Sequence, residues 1–407
     1  MTRPVTGPET HHLVDVARLA VFGIGIGAAS GLASAAFLAS IEAAGEARAD
    51  HRWLLVGLPL WGVVFGLLVH SFAGRSAGGN RRTMTEINRF TGGVPFRMAP
   101  FAFVGTVLTL LFGGSTGREG AALQMSAGLT DGAAARLRLP AYDRRLLLIA
   151  ALAGGFGSVF GVPFAGVVFA LEVSPTTVRS RLAAAPACIT AAAVGHVTVL
   201  AVGVTHHHYD PFLTSKLHAG DLWGWLVVSV ALGFAAFVFP QVIEGVRFVL
   251  LKVSGHPAVR AGLGALAVVV VAVVFSGWDE LGLSLPLLDQ ALAGHADLRS
   301  FVLKLVLVGL TLGSGFPGGE VTPTFVLGAT LATTVAGWVD VPQRVAARLG
   351  FVALFGAAAN APVAAIVLGV ELFGWRQLPL LVGGCAVARL CSGSHHIYET
   401  MEPELMD

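Results

Sequence analysis

Residues 113–124 read GGSTGREGAALQ: four glycines, an arginine and a glutamate set between two apolar runs. Upstream, residues 98–112 carry no charged side chain, and downstream the chain returns to Ala, Leu and Met. The 407-residue sequence is 55% hydrophobic and 12% charged, with a mean hydropathy of +0.76. Ordinary soluble domains carry about 25% charged residues, so this chain is read as an all-α polytopic membrane protein. Backbone broken at membrane depth is tolerated only where it is buried in protein or lines a cavity. The stretch therefore predicts a helix that begins inside the membrane, at a site walled by protein.

The other apolar runs fit that reading. Residues 53–73 and 183–204 have about the ~20-residue length needed to span a bilayer core. Residues 14–45 and 221–253 are longer and must tilt or kink. Residues 98–112 and 262–276 are too short at 15 residues each, about 22 Å at helical rise. The opening MTRPVTGPETHH leads into an apolar stretch too long for a signal peptide and without a cleavage site. Cys188, Cys385 and Cys391 all lie in apolar segments and are read as free thiols filling core space. A net charge of +2 gives no footing for nucleic acid as a partner.

The chain repeats itself. GVPFAGVVFALE at 161–172 and NAPVAAIVLGVE at 360–371 share a proline, an alanine and a final glutamate at the same spacing. A glycine-rich stretch with a glutamate precedes each: STGREG around Glu119, GFPGGEV around Glu320. Glu119 stands 53 residues before Glu172, and Glu320 stands 51 before Glu371. Two features recurring in order indicate duplication. Repeat 1 is placed at about 14–205 and repeat 2 at about 221–398, within a single transmembrane domain over 1–407. Loop charges indicate inversion. Loop 75–97 holds Arg75, Arg81, Arg82, Arg89 and Arg97, and loop 136–145 holds Arg136, Arg138, Arg144 and Arg145. Residues 277–297, one repeat on from the first loop, hold no Lys or Arg but Asp279, Glu280, Asp289 and Asp297. The positive-inside rule makes the basic loops cytoplasmic and the acidic one external. Inverted repeats meeting at broken helices are a transporter architecture.

Within this frame the candidate residues sort by chemistry. A helix N-terminus offers unpaired N–H groups and partial positive charge, and glycines admit close backbone approach. Gly117, Arg118 and Gly120 around Glu119, and Gly318 and Gly319 before Glu320, thus mark two candidate anion sites. Glu119 can occupy such a site while ionised and stop competing once protonated, coupling a proton to an anion. The alternative is a simple pair with Arg118. Glu320 is either a second functional acid or a buried carboxylate satisfied by backbone donors. Glu172 and Glu371, ending short apolar segments, are read as ties between loops or surface residues. His206, His207 and His208 are read as an exposed loop, because adjacent histidines do not share a face for zinc. Lys304, in FVLKLVLVGL, either snorkels or lends positive potential to an anion path.

Taken together, GREG at 117–120, the two proline segments and GSGFPGGEVTP at 313–323 resemble the CLC family of anion channels and anion/proton antiporters. The resemblance implies a CLC-like inverted repeat of broken and tilted helices, a homodimer in membrane lipid with one pathway per subunit, and a multi-pass place in the cell membrane. It also implies that Glu119 is the proton-coupled gate and that Tyr398, in SGSHHIYE, is the central pathway tyrosine. No regulatory domain is expected, nine residues following Tyr398. Two departures resemble the fluoride-exporting branch. AGRSAGGNRRT places Asn80 where chloride-handling members carry a serine, and GGEVTP places Glu320 and Thr322 around Val321, which stands where those members carry a phenylalanine. Fluoride is small and tightly hydrated, so its site must offer close donors; Asn80, Thr322, Tyr398 and a protonated Glu320 would supply them. The implied activity is fluoride export in exchange for protons, with no cofactor. Chloride/proton antiport and a passive chloride or fluoride channel are the alternatives on the same scaffold. A membrane metalloprotease lacks the H-E-x-x-H spacing it would need, and the function is not expected to be enzymatic.

Overall fold

The computed structural model describes residues 9–74, 76, 79–206, 209, 221–394 and 396–398, with residues 9–15 and 73 described by backbone alone. Arg75, His207, His208 and most of loop 206–220 lie outside the described residues. Sixteen α-helices occur among those described. The first eight are α1 (Glu9–Asp50), α2 (Leu58–Leu68), α3 (Gly79–Asn88), α4 (Met98–Leu111), α5 (Glu119–Arg136), α6 (Ala141–Phe160), α7 (Pro163–Val173) and α8 (Val178–Ala201). The second eight are α9 (Leu222–Val253), α10 (Pro257–Val274), α11 (Leu285–Leu292), α12 (Leu298–Gly313), α13 (Val321–Trp338), α14 (Gln343–Ala358), α15 (Pro362–Phe373) and α16 (Leu378–Cys391). Proline opens α7, α10 and α15, where its missing N–H costs nothing. Among the described residues, six helical segments are long and apolar enough to cross a membrane: Val16–Asp50, Arg52–Phe72, α8, α9, α10 and α13; α4, α7 and α15 are shorter apolar helices.

Packing follows the same order in each half. α5 lies on α6 as α13 lies on α14, α6 on α8 as α14 on α16, and α1 on α8 as α9 on α16. Where the halves meet, contacts are reciprocal. Glu172 accepts hydrogen bonds from Val363 N (3.1 Å) and Ala364 N (2.7 Å), and Glu371 accepts from Phe164 N (3.2 Å) and Ala165 N (2.8 Å). Each carboxylate thus ends one short helix and caps the start of its counterpart, satisfying N–H groups that lipid could not. Reciprocity of this kind is what a two-fold relation imposes. Around this seam a column of rings fills the core, with Phe325 stacked on Phe351 at 4.1 Å and Phe156 on Phe169 at 4.4 Å.

Several sequence expectations change. The run 262–276 belongs to an 18-residue spanning helix, α10, whose first turn was hidden by His256 and Arg260. Loop 75–97 contains α3, and residues 141–145 of the second basic loop are already the first turn of α6. α3 is amphipathic: Thr83, Met84, Glu86 and Ile87 are buried on one face. Cys391 is exposed, unlike Cys188 and Cys385. Lys304 is fully buried and does not snorkel. His206 is not a freely exposed loop residue; its Nε2 lies 2.8 Å from Ser158 O, and its ring stacks on His196.

The basic face is braced by buried acids. Asp131 accepts from Arg144 Nε (2.7 Å) and Nη2 (2.8 Å) and from Val94 N (2.5 Å). Glu86 accepts from Thr91 N, Thr91 Oγ1 and Gly93 N and pairs with Arg82, which holds α3 in place. Asp131→Ala leaves the mostly buried Arg144 guanidinium without its partner, at an expected cost of about 3–5 kcal/mol. A thermal-unfolding scan in detergent checks this; an unchanged midpoint would remove the brace from the account.

Candidate functional site

The two glycine-rich stretches meet. Gly117 N donates to Gly319 O at 2.8 Å, and Gly319 N donates back to Gly117 O at 3.0 Å, an isolated antiparallel bridge between the halves. Immediately after it, α5 and α13 begin, so two helix N-termini converge on one point. Glu119, the first residue of α5, is fully buried there. It extends across the seam to the start of α13, where Oε1 accepts from Val321 N at 2.5 Å and Oε2 accepts from Thr322 Oγ1 at 2.6 Å. The carboxylate therefore sits where the α13 N–H groups and helix dipole favour an anion. Its oxygens turn to α13 and not to Arg118, whose guanidinium stacks 5.4 Å from the Phe160 ring centroid. Glycine is required for this approach. A Cβ on Gly319 would fall 2.1 Å from Glu119 Oε1 and 2.5 Å from Gly120 N, and one on Gly120 would fall 2.3 Å from Gly318 O.

Two cavities flank the seam. One, of about 220 Å³, is lined by Asn80, Arg81, Gln124, Arg247 and Glu320 among others, and opens on the basic face. Asn80 stands in the first turn of α3, and its Oδ1 is buried with no hydrogen-bond partner among the described residues. Glu320 is the N-cap residue of α13, next to Glu119's docking point, and lies within electrostatic reach of Glu119, Arg81 and Arg247. The other cavity, of about 600 Å³, is lined by Glu42, Glu46, Arg48, Arg118, His206 and Ser284 among others, on the side of the acidic loop. Arg118, the chain neighbour of Glu119, lines the larger cavity, and Glu320, beside its docking point, lines the smaller one.

Tyr398 is held by Ile397 N donating to Ala358 O at 3.0 Å and by an edge contact with Phe169 at 5.6 Å. Its hydroxyl is buried, has no hydrogen-bond partner among the described residues, and lies within electrostatic reach of Glu320 and Glu119. Ile397, not Tyr398, lines the 220 Å³ cavity. Of the sequence candidates, Glu119, Thr322 and the glycines form one contact group, while Asn80 and Glu320 share the smaller cavity. Two residues of the same stretch were missed. Thr116 Oγ1 accepts from Gly319 N at 3.1 Å, and Ser115 N donates to Thr311 Oγ1 at 3.1 Å. Their position among the glycines of GGSTG was the available signal.

Fold and seam together define a multi-pass membrane protein whose halves meet at a buried acid. The chain belongs to the voltage gated chloride channel family, whose profile matches residues 61–393. It is 36% identical over 379 residues to the chloride/fluoride channel protein of Pseudomonas syringae pv. tomato (91% of this chain, 83% of that one). It is 25% identical over 413 residues to the H(+)/Cl(-) exchange transporter ClcA of Vibrio parahaemolyticus (90% and 86%). The crystal structure of a CLC-type fluoride/proton antiporter superposes with a TM-score of 0.89 at 30% identity, covering 96% of this chain and 98% of that one. The inverted-repeat fold of broken helices and the multi-pass membrane location follow from these matches.

Proposed function

We propose that the protein is a secondary active transporter that exports fluoride from the cytoplasm in exchange for protons. The observation that carries this is the docking of Glu119 on Val321 N and Thr322 Oγ1 at the start of α13. An anionic side chain there holds donors that a free anion would also use. Protonation removes its charge and weakens bonds that are roughly twice as strong when charge-assisted. The side chain then yields its place, and the proton travels with it. The basic cavity offers fluoride Asn80 and, when protonated, Glu320; elsewhere on the route Thr322, once released, and the Tyr398 hydroxyl would add donors. An ionised Glu320 would repel the anion. The related fluoride/proton antiporter supports fluoride and proton as the transported pair. Proton entry down its gradient drives expulsion.

Purified protein in liposomes, given a pH gradient and loaded with fluoride or chloride, tests the reading. Fluoride moving uphill is the expected result. Chloride flux of equal rate would favour the chloride/proton exchanger, and fluoride moving only down its own gradient would favour a channel. Glu320→Gln keeps a donor but cannot titrate. It is expected to flatten the pH dependence of fluoride transport; an unchanged profile would deny Glu320 a proton role.

The same reading includes a homodimer embedded in lipid, with one pathway in each subunit. Its support is the family likeness and the exposed apolar side chains such as Ile189 on α8 and Val382 on α16. Mass measurement of the protein in nanodiscs checks it, and a monomer would refute it.

A further inference from the structure

Lys304 is the fully buried lysine of α12, and every acceptor around its Nζ belongs to another element. Four acceptors lie within hydrogen-bond distance of Nζ, which has at most three N–H groups to share among them: Ser115 Oγ (2.9 Å), Glu280 O (3.2 Å), Gly282 O (2.9 Å) and Ser284 Oγ (2.8 Å). Ser115 Oγ in turn donates to Glu280 O at 2.9 Å. About two turns along the same helix face, Thr311 Oγ1 accepts the Ser115 N–H. α12 therefore grips both the backbone and the side chain of Ser115, which opens the stretch that ends in Glu119.

The other side of this knot is the external turn 280–284. That turn holds two residues in the left-handed region, Gly282 at φ +65° and Ser284 at φ +56°. The second lacks glycine's freedom, so its conformation persists only if surrounding contacts hold it. Gly282 and Ser284 line the outer cavity together with Arg118. A single point donor thus joins the wall of that cavity to the loop bearing the gate. A lysine suits the place because its compact head reaches several acceptors without a planar fork's demands.

We propose that Lys304 is a positioning residue for Glu119: it clamps Ser115 to the outer-cavity turn, so that Glu119's side chain moves during exchange while its backbone stays in register with α13. The inference rests on the proton-coupled reading given above. If the backbone register is lost, the carboxylate no longer returns to Val321 and Thr322 on each cycle, and fluoride passes without its proton.

Protons and fluoride are to be counted together in liposomes, with a pH electrode and a fluoride electrode, for wild type, Ser115→Ala, Lys304→Met and the double variant. Both single variants are expected to lower protons moved per fluoride at least about twofold, and the double variant to be no worse than Lys304→Met, because both break one link. A purely structural role would lower both fluxes together and leave their ratio alone. An unchanged ratio in Ser115→Ala, or losses that add in the double variant, overturns the proposal. Should Lys304→Met fail to fold, Ser115→Ala decides alone by the same ratio. A wild-type protein that moves no protons would instead refute the antiport reading itself.

Discussion

Glu119→Gln is expected to end proton-coupled transport. Glutamine keeps the shape and can remain docked, with its oxygen accepting from Val321 N and its amide donating to Thr322 Oγ1, where a hydroxyl can reverse its role. What it loses is the ability to take up a proton and to present a charge. A positioned proton-transfer group contributes about 10²–10⁴-fold, so proton uptake should fall by about 100-fold or more, toward the leak of empty liposomes. Fluoride should then move only down its own gradient. The measurement is proton uptake against an outward fluoride gradient, wild type beside variant. Proton uptake persisting at the wild-type rate would remove Glu119 from the mechanism, and the scaffold would need a different acid.

The second large effect is expected from Gly319→Ala, a change of one methyl group. Its Cβ would stand 2.1 Å from Glu119 Oε1 and 2.5 Å from the backbone N of Gly120. The first neighbour is a side chain and can move away, which expels the carboxylate from the α13 N-terminus. The second is backbone and cannot yield without parting the Gly117–Gly319 bridge. Overpacking of this kind costs about 1–3 kcal/mol, and here the strain falls on the junction itself. Fluoride/proton exchange should drop by at least about tenfold, each tenfold corresponding to about 1.4 kcal/mol at the barrier, with a lowered unfolding temperature. Alanine at Gly383, which has open space around it, serves as the control and should cost little. Equal exchange rates in Gly319→Ala and wild type would mean that the seam is looser than its contacts imply.

Much of the architecture was legible in local pattern. Hydropathy marked membrane segments because lipid demands internally satisfied backbone over a fixed length. Paired motifs around Glu119 and Glu320, and around Glu172 and Glu371, announced the duplication, and arginine placement announced the inversion. Patterns failed where a boundary was polar. α10 was read too short because His256 caps its start and Arg260 sits in its first turn, and α3 went unseen inside an arginine-rich loop. In both cases charge at a helix end looked like loop.

The sequence by itself determined which side chains were candidates to carry an anion and a proton, since glycine runs, carboxylates and their order along the chain are local facts. It left open what each one touches. Only the tertiary structure decided that Glu119 crosses to α13 and does not pair with Arg118, that Glu172 and Glu371 cap each other's helices, and that Lys304 binds Ser115 across 189 residues of chain. The physical reason is that a buried polar group must find partners, while the identity of those partners is set by how two distant halves pack, which no neighbouring residue encodes.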